Sequence, residues 1–318
     1  MIKVLYNILR LLRPRQWIKN FALFAAITFA GELFNTPVLW NVILAFVAFC
    51  GLSSATYIIN DIFDVKKDKL HPFKKFRPLA SGEIPLSFGF SFAIFLIAGS
   101  LLLAKFIAPT FFAVCLLYLV IQFLYSSFIK SIAVLDILAI ASGYILRVYG
   151  GEFASGYHIS VWLLLTTISI SLFLAVGKRR SELTLLSGTK GTNIAATRKS
   201  LSHYSDRLLD VYASIFATST FVAYSLFTFL ENPGGFRLNL NILLPDTFSS
   251  FIERKWLMIT IIPVVYGLMR YLQDIYEKNE GESPERVLLS DIPLLLDVII
   301  WVLLVILIIY FVGPSPAF

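Results

Sequence analysis

The chain has 318 residues, 58% of them hydrophobic and only 15% charged, with a mean hydropathy of +0.79. Soluble domains carry about a quarter charged residues, so this composition excludes a soluble globular protein and implies an integral membrane one. The formal charge of +7 marks one face of a membrane protein rather than a nucleic-acid binder, and two cysteines, Cys50 and Cys115, both inside apolar runs, give neither a disulfide framework nor a zinc site.

The first segment, "MIKVLYNILRLLRPRQW", puts Ile2, Leu5, Leu9 and Leu12 on one helical face with Lys3, Arg10 and Arg13 elsewhere. Residues 1–16 are therefore expected to form an amphipathic helix lying in the membrane interface, not a cleaved signal. Apolar runs long enough to cross a hydrocarbon core of about 30 Å follow at 18–34, 38–60, 87–108, 109–129, 132–151, 159–177, 208–230, 256–273 and 292–313. The expected fold is an all-α membrane protein of nine transmembrane helices, a single catalytic domain over 1–318. Polar loops are expected over 61–86 and 178–207. With a cytoplasmic N-terminus, all but five of the 27 Lys and Arg residues fall on the cytoplasmic side, as basic flanks should. The exceptions are Lys105, Arg237, Arg254 and Lys255 on the opposite side and Arg147 inside the fifth span.

The second span runs into "NDIFDVKKDKLHPFKKFRP", a dense mixture of acids and bases. Asp61, Asp64 and Asp68 stand at i, i+3 and i+7, so a helix continued past Asn60 gathers three carboxylates on one stripe. Burying such groups at a membrane end costs roughly 2.5 to 3.5 kcal/mol each on insertion scales. Mg²⁺, which takes one or two carboxylates and completes its shell with water and phosphate oxygens, would compensate them. Asn60, Asp61, Asp64 and Asp68 are the candidate metal ligands. His71 and Pro72 end the helix, and Lys74, Lys75 and Arg77 then stand beside the acids, where they repel a bare cation but welcome a metal-bound polyphosphate. A solvated helix end is the bland alternative.

Further along, Tyr125 and Lys130 bracket the short connection after the fourth span, as interface anchors or as phosphate contacts. Asp136 and Arg147 lie eleven residues apart in the fifth span, about 20° apart around a helix, so both can face one interior cavity; the alternative is that Arg147 pairs with a neighbouring acid near the outer end. After the sixth span, "GKRRSELTLLSGTKG" sets Lys178, Arg179, Arg180 and Lys190 against one acid, Glu182. Asp206 and Asp210, at the start of the seventh span, are read as carboxylates favouring the helix dipole.

"NDIFDVKKD" resembles the NDxxDxxxD motif of the UbiA superfamily of intramembrane prenyltransferases, which have a nine-helix all-α fold. "LRPRQWIKN" at 12–20, the whole of 60–82, "YSSFIKSIAVLDILAIASGYILRVYGG" at 125–151 and "GKRRSEL" at 177–183 are similar to its decaprenyl-phosphate phosphoribosyltransferase branch. Superfamily members that use an isoprenyl diphosphate typically carry a second aspartate-rich motif after helix 6. Here that place is basic.

The resemblance implies that the phosphoribosyl group of phosphoribosyl diphosphate passes to a polyprenyl phosphate, with Mg²⁺ as cofactor and release of pyrophosphate. Asn60, Asp61, Asp64 and Asp136 would be catalytic. Lys19, Lys75, Arg77, Tyr125, Lys130, Arg147, Lys178, Arg179 and Glu182 would bind substrate phosphate. The acceptor phosphate is already anionic and requires no strong general base, in keeping with His71, His158 and His203 lying away from this set. The expected setting is a bacterial or archaeal plasma membrane with the site on the cytoplasmic side; no nucleic-acid partner is implied, and a homo-oligomer is compatible. The alternatives are transfer of an isoprenyl group to an aromatic or other acceptor, and an ion-coupled transporter. The transporter lacks the paired, Gly- or Pro-broken half-helices its class shows.

Overall fold

The structure, a computed structural model, describes residues 2–69, 74–187, 199–231, 255–278 and 284–312. The helix break at His71 and Pro72, and Lys190, Arg237 and Arg254, lie outside them. Among the described residues there is no β-strand. That follows from the solvent: a lipid-exposed backbone must satisfy its own N–H and C=O groups, which a helix does within one segment. The chain divides into two compact units, residues 1–24, 40–156 and 189–204 in the first, and 25–39, 157–188 and 205–318 in the second.

The first unit opens with α1 (Ile2–Leu12) and an eleven-residue 3₁₀ segment (Pro14–Phe24). It then contains most of α3 (Thr36–Asp68), which follows the short α2 (Ala25–Phe29), together with α4 (Leu86–Ile107), α5 (Pro109–Ser127) and α6 (Leu135–Ser155). Leu11 of α1 is buried among Ala55, Ile58 and Val65 of α3, Leu79 and Ile84 of the following connection, and Ala93 of α4. Leu5, Tyr6 and Leu9 stand exposed, as suits a helix lying on a membrane. Pro109 starts α5 one residue after α4 ends, with extended Ala108 as the hinge; proline is tolerated at a helix's first turn because that N–H has no intrahelical partner anyway. α6 packs on the 3₁₀ segment at Gly151, where an added Cβ would lie 1.9 Å from the Leu23 carbonyl oxygen. Any side chain there would push the two elements apart.

The second unit contains α7 (Val161–Ser187), α8 (Asp206–Leu230), α9 (Ile261–Gln273), α10 (Pro284–Ser290) and α11 (Ile292–Leu307). Its core gathers Leu163, Tyr224, Phe227, Leu257, Val305, Ile308 and Ile309. The Tyr224 hydroxyl lies 2.7 Å from Thr260 Oγ1 and accepts from Trp301 Nε1 at 2.9 Å.

Seven helices among the described residues are long and apolar enough to cross a membrane. The other two expected spans take different forms. Residues 18–34 are divided between the 3₁₀ segment and the five-residue α2. Residues 132–151 become α6, whose length of 21 residues is adequate but whose face carries Asp136 and Arg147. Two expected loops are also partly helix: α3 runs on through Asp68 and α7 through Ser187, so 61–68 and 178–187 extend spans rather than connecting them.

Candidate active site

The polar end of α3 organises the site. Because α3 stays helical to Asp68, Ser54, Tyr57, Asp61, Asp64 and Asp68 follow one another at three- and four-residue intervals along one stripe. Asp61 is only 3% exposed and Asp68 4%, while Asp64 is half-buried. Each carboxylate is met by a basic side chain arriving from elsewhere in the first unit.

Arg13 comes from the turn between α1 and the 3₁₀ segment. Its φ of 53° is left-handed, a conformation that costs a non-glycine residue roughly 1 to 2 kcal/mol. Pro14 forbids continuation of the helix through residue 13, and Ser54 holds the turn in place. The Ser54 hydroxyl donates to the Leu12 carbonyl at 2.7 Å and accepts from Trp17 Nε1 at 3.0 Å. So anchored, Arg13 Nη2 donates to both oxygens of Asp61, at 2.6 and 2.7 Å, with its guanidinium 5.1 Å from the centre of the Tyr57 ring.

Arg77 returns from the connection after α3. Its Nη1 bridges Asp61 Oδ1 at 2.9 Å and Asp68 Oδ2 at 2.7 Å. The connection is tied back by Ser81 N–H donating to the Arg77 carbonyl at 2.8 Å, Ile84 N–H to the Pro78 carbonyl at 3.0 Å, and the Arg10–Glu83 ion pair at 3.0 Å. Lys130, in the 3₁₀ turn Ile129–Ser131, donates to the Asp64 oxygens at 2.8 and 3.0 Å. Three acids and three bases thus form one balanced set.

Beside it, Gln16 Oε1 accepts from Lys19 Nζ at 2.7 Å and from the Tyr57 hydroxyl at 2.8 Å, and Lys19 Nζ lies 5.7 Å from the Tyr144 ring centre. Lys75 is exposed, against the ring of Phe76. Asn60 and Tyr125 are half-buried.

Asp136 and Arg147 meet different hydrogen-bond partners. Asp136 is 0% exposed, accepting from the Tyr204 hydroxyl at 2.7 Å, with Ser200 Oγ 3.0 Å away. The same Ser200 hydroxyl is 3.0 Å from the Lys130 carbonyl, and the Tyr204 hydroxyl accepts from Val134 N–H at 2.6 Å. Val134 has a φ of 69°, so these contacts hold a strained turn between Lys130 and α6. Among the described residues Arg147 is hydrogen-bonded to neutral groups: Nε donates to Asn20 Oδ1 at 2.7 Å, Nη1 to the Gly143 carbonyl, and Nη2 to the Tyr118 hydroxyl at 3.3 Å. Asn20, fully buried, also donates to Cys50 Sγ at 3.2 Å.

In the second unit, Arg179 is 0% exposed and paired with Glu182 at 2.5 Å. Arg180 turns the other way, to Asp206 at 2.8 Å and Asp210 at 2.8 Å. The cap of α8 is Ser205, whose side chain accepts from Leu208 N–H at 3.2 Å; Asp206 and Asp210 serve instead as partners of Arg180. Lys178 is half-buried.

The donors on the α3 stripe are all hard oxygens, the kind Mg²⁺ takes. Among the described residues no three Asp, Glu, His or Cys side chains converge as a metal cage. The set fits a cation that shares one or two carboxylates and draws its remaining ligands from phosphate, with Arg13, Arg77 and Lys130 placed to take the other phosphate oxygens. Arg13, Gln16 and Tyr57 are the site residues that sequence reasoning passed over; Pro14 was the available signal, since it breaks the helix that would have put Arg13 on a solvated face.

The family model for the UbiA prenyltransferase family matches residues 20–236. Over 308 residues the chain is 33% identical to the decaprenyl-phosphate phosphoribosyltransferase of Corynebacterium glutamicum, covering 96% of this chain and 87% of that protein. It is 34% identical over 300 residues to the protein of the same name from Mycolicibacterium smegmatis, covering 93% and 90%. In fold it is similar to a UbiA homologue from Archaeoglobus fulgidus solved with DMAPP and Mg²⁺, with a TM-score of 0.67 at 20% identity, covering 95% of this chain and 98% of that one.

Proposed function

The chain belongs to the UbiA prenyltransferase family, and on that premise we propose that it transfers the 5-phosphoribosyl group of phosphoribosyl diphosphate to a polyprenyl phosphate. The bond from the ribosyl anomeric carbon to the diphosphate breaks, a bond from that carbon to an acceptor phosphate oxygen forms, and pyrophosphate leaves. The observation that carries this reading is the balanced set on α3, three acids within reach of two arginines and a lysine, together with the relatives of that name matched over nearly the whole chain.

Asp61 and Asp64, with Asn60 and Asp68 beside them, would hold Mg²⁺, which when bound supplies charge neutralisation for the departing diphosphate. Arg13, Arg77 and Lys130 orient the diphosphate and balance the charge that collects on it. Lys19, fixed by Gln16, is a further phosphate contact, and Lys75 and Tyr125 stand at the margin. Asp136 positions Lys130 through Ser200 and Tyr204, and Arg147 fixes the buried Asn20. In the second unit, Lys178 is proposed as a phosphate contact, while Arg179 and Glu182 brace the polar end of α7.

The proposed topology is a multi-pass protein with nine crossings, the N-terminus and the end of α3 on the cytoplasmic side, as the distribution of Lys and Arg favours. The test is purified protein with Mg²⁺, polyprenyl phosphate and labelled phosphoribosyl diphosphate, run beside isoprenyl diphosphates. Labelled lipid and pyrophosphate are expected from the first. Consumption of isoprenyl diphosphates with phosphoribosyl diphosphate inert would replace this reading with isoprenyl transfer, the alternative favoured by the DMAPP bound to the archaeal homologue.

A further inference from the structure

Each acid of the α3 stripe is engaged by a side-chain cation of the same chain. Arg13 and Arg77 share Asp61, Arg77 reaches on to Asp68, and Lys130 closes on Asp64, with N···O distances of 2.6 to 2.9 Å. A divalent ion cannot ligate the oxygens that these cations cover without loosening them. The cations, once loosened, face the same space and need an anion.

We propose that Arg13, Arg77 and Lys130 are exchangeable counter-ions. They occupy the aspartates while the metal is absent, and they turn onto a diphosphate when a metal–diphosphate complex takes the carboxylates. This inference rests on the metal-and-phosphate reading of the site and adds to it a competition between side chain and metal. Three features support exchange over a fixed structural network. The three cations come from three separate segments outside α3, so their side chains can leave the acids without unwinding it. Arg13, Arg77 and Lys130 keep about a quarter of their side-chain surface open, 23%, 25% and 20%, unlike Arg147 and Arg179, which are sealed in. And Arg13 is presented from a left-handed turn fixed by Ser54 rather than from a helix face, so its guanidinium can move while its backbone stays in place.

Competition makes opposite demands on one substitution. Removing Arg13 uncovers Asp61 Oδ2 for the metal while Arg77 stays on Oδ1, yet takes a charge-assisted contact from the diphosphate. Arg13→Gln should therefore bind Mn²⁺ alone about three- to tenfold more tightly than the wild type. At saturating Mn²⁺ it should bind pyrophosphate about ten- to a hundredfold more weakly. Lys130→Gln, acting on the half-buried Asp64, should show the same pair of signs and provides a second case should Arg13→Gln fold poorly.

The experiment is calorimetric titration of the purified full chain in detergent with Mn²⁺ alone, then with pyrophosphate at saturating Mn²⁺, and then with geranyl phosphate as a monophosphate standing for the acceptor. The expected result is tighter metal and weaker pyrophosphate in both variants. If the wild type binds Mn²⁺ with pyrophosphate but neither variant binds Mn²⁺ alone more tightly, the exchange is overturned while the metal-and-phosphate site survives. If the variants weaken geranyl phosphate and leave pyrophosphate unchanged, the assignment of these cations to the diphosphate is overturned. If the wild type binds no Mn²⁺ even with pyrophosphate, the underlying reading of the site falls and the exchange falls with it.

Discussion

Tyr204 offers a test of how the first unit holds its site, because its hydroxyl bonds run to Asp136 and Val134. Its hydroxyl donates to fully buried Asp136 at 2.7 Å and accepts from Val134 N–H at 2.6 Å, and the Asp136 partner Ser200 reaches the Lys130 carbonyl at 3.0 Å. Tyr204→Phe removes one hydrogen bond to a charged group, about 1.5 to 3 kcal/mol, and the acceptor of the Val134 N–H. We expect a loss of about 2 kcal/mol and a fall of roughly 5 °C in thermal midpoint. Val134→Gly, which relieves the φ of 69°, should recover about 1 kcal/mol of it. The functional effect should run through Lys130. Tyr204→Phe should raise KM for the diphosphate donor several-fold in the wild type and have almost no further effect in a Lys130→Gln background, since residues acting as a unit are not additive. Fluorescence-monitored unfolding and steady-state kinetics of the four proteins of the cycle decide it. Additive losses in KM would refute the positioning role.

Asp64→Asn should lose turnover with little change in stability, whereas Asp61→Asn should lose both, because Asp61 is buried against two guanidinium groups; near wild-type turnover of Asp64→Asn at limiting Mg²⁺ would remove it from the metal site. At the end of α7, Arg179→Ala is expected to cost about 3 kcal/mol of stability by breaking a buried pair with Glu182. Lys178→Ala should stay folded and raise KM for one substrate about ten- to a hundredfold; equal thermal midpoints for the two variants would contradict the division. A cysteine at Lys75 should be labelled from the cytoplasmic side and one at Lys105, in the last turn of α4, from the opposite side. Labelling of both from one face would defeat the proposed topology.

How far the sequence could be read depended on whether a residue's partner lay nearby in the chain. The stripe of Asp61, Asp64 and Asp68 was visible because helical periodicity alone aligns it, and α3 does stay helical to Asp68. The boundary between the spans at 87–108 and 109–129 was visible for the same local reason, and Pro109 does start α5. Arg13 was misread as part of a solvated helix face, because its real surroundings are Ser54 and Asp61, 41 and 48 residues away. Asp136 and Arg147 share a helix face by arithmetic, but the angle between two residues says nothing of what reaches each from elsewhere. Ser200 and Tyr204 close over one, Asn20 and Tyr118 over the other. The first expected span failed as a continuous α-helix because hydropathy reports only that a segment is apolar, and does not distinguish a 3₁₀ run from an α-helix.

Charge balance sets what the α3 site can accept. Three carboxylates at a membrane end would cost roughly 7 to 10 kcal/mol if uncompensated, and Arg13, Arg77 and Lys130 cancel that charge within the chain. A site whose acids are already paired with bases has little attraction for a cation alone or for an anion alone, since either must displace one half of a pair and strand the other. A metal–diphosphate complex supplies a positive charge to the aspartates and negative oxygens to the bases together. Binding of the two should therefore be mutually reinforcing, and by linkage the factor by which Mg²⁺ tightens pyrophosphate must equal the factor by which pyrophosphate tightens Mg²⁺. A factor of about ten or more in both directions is expected. Independent binding of the two would mean that the bases on α3 are permanent structural partners of the acids, and that the phosphate-binding charge of this protein must be sought in other residues.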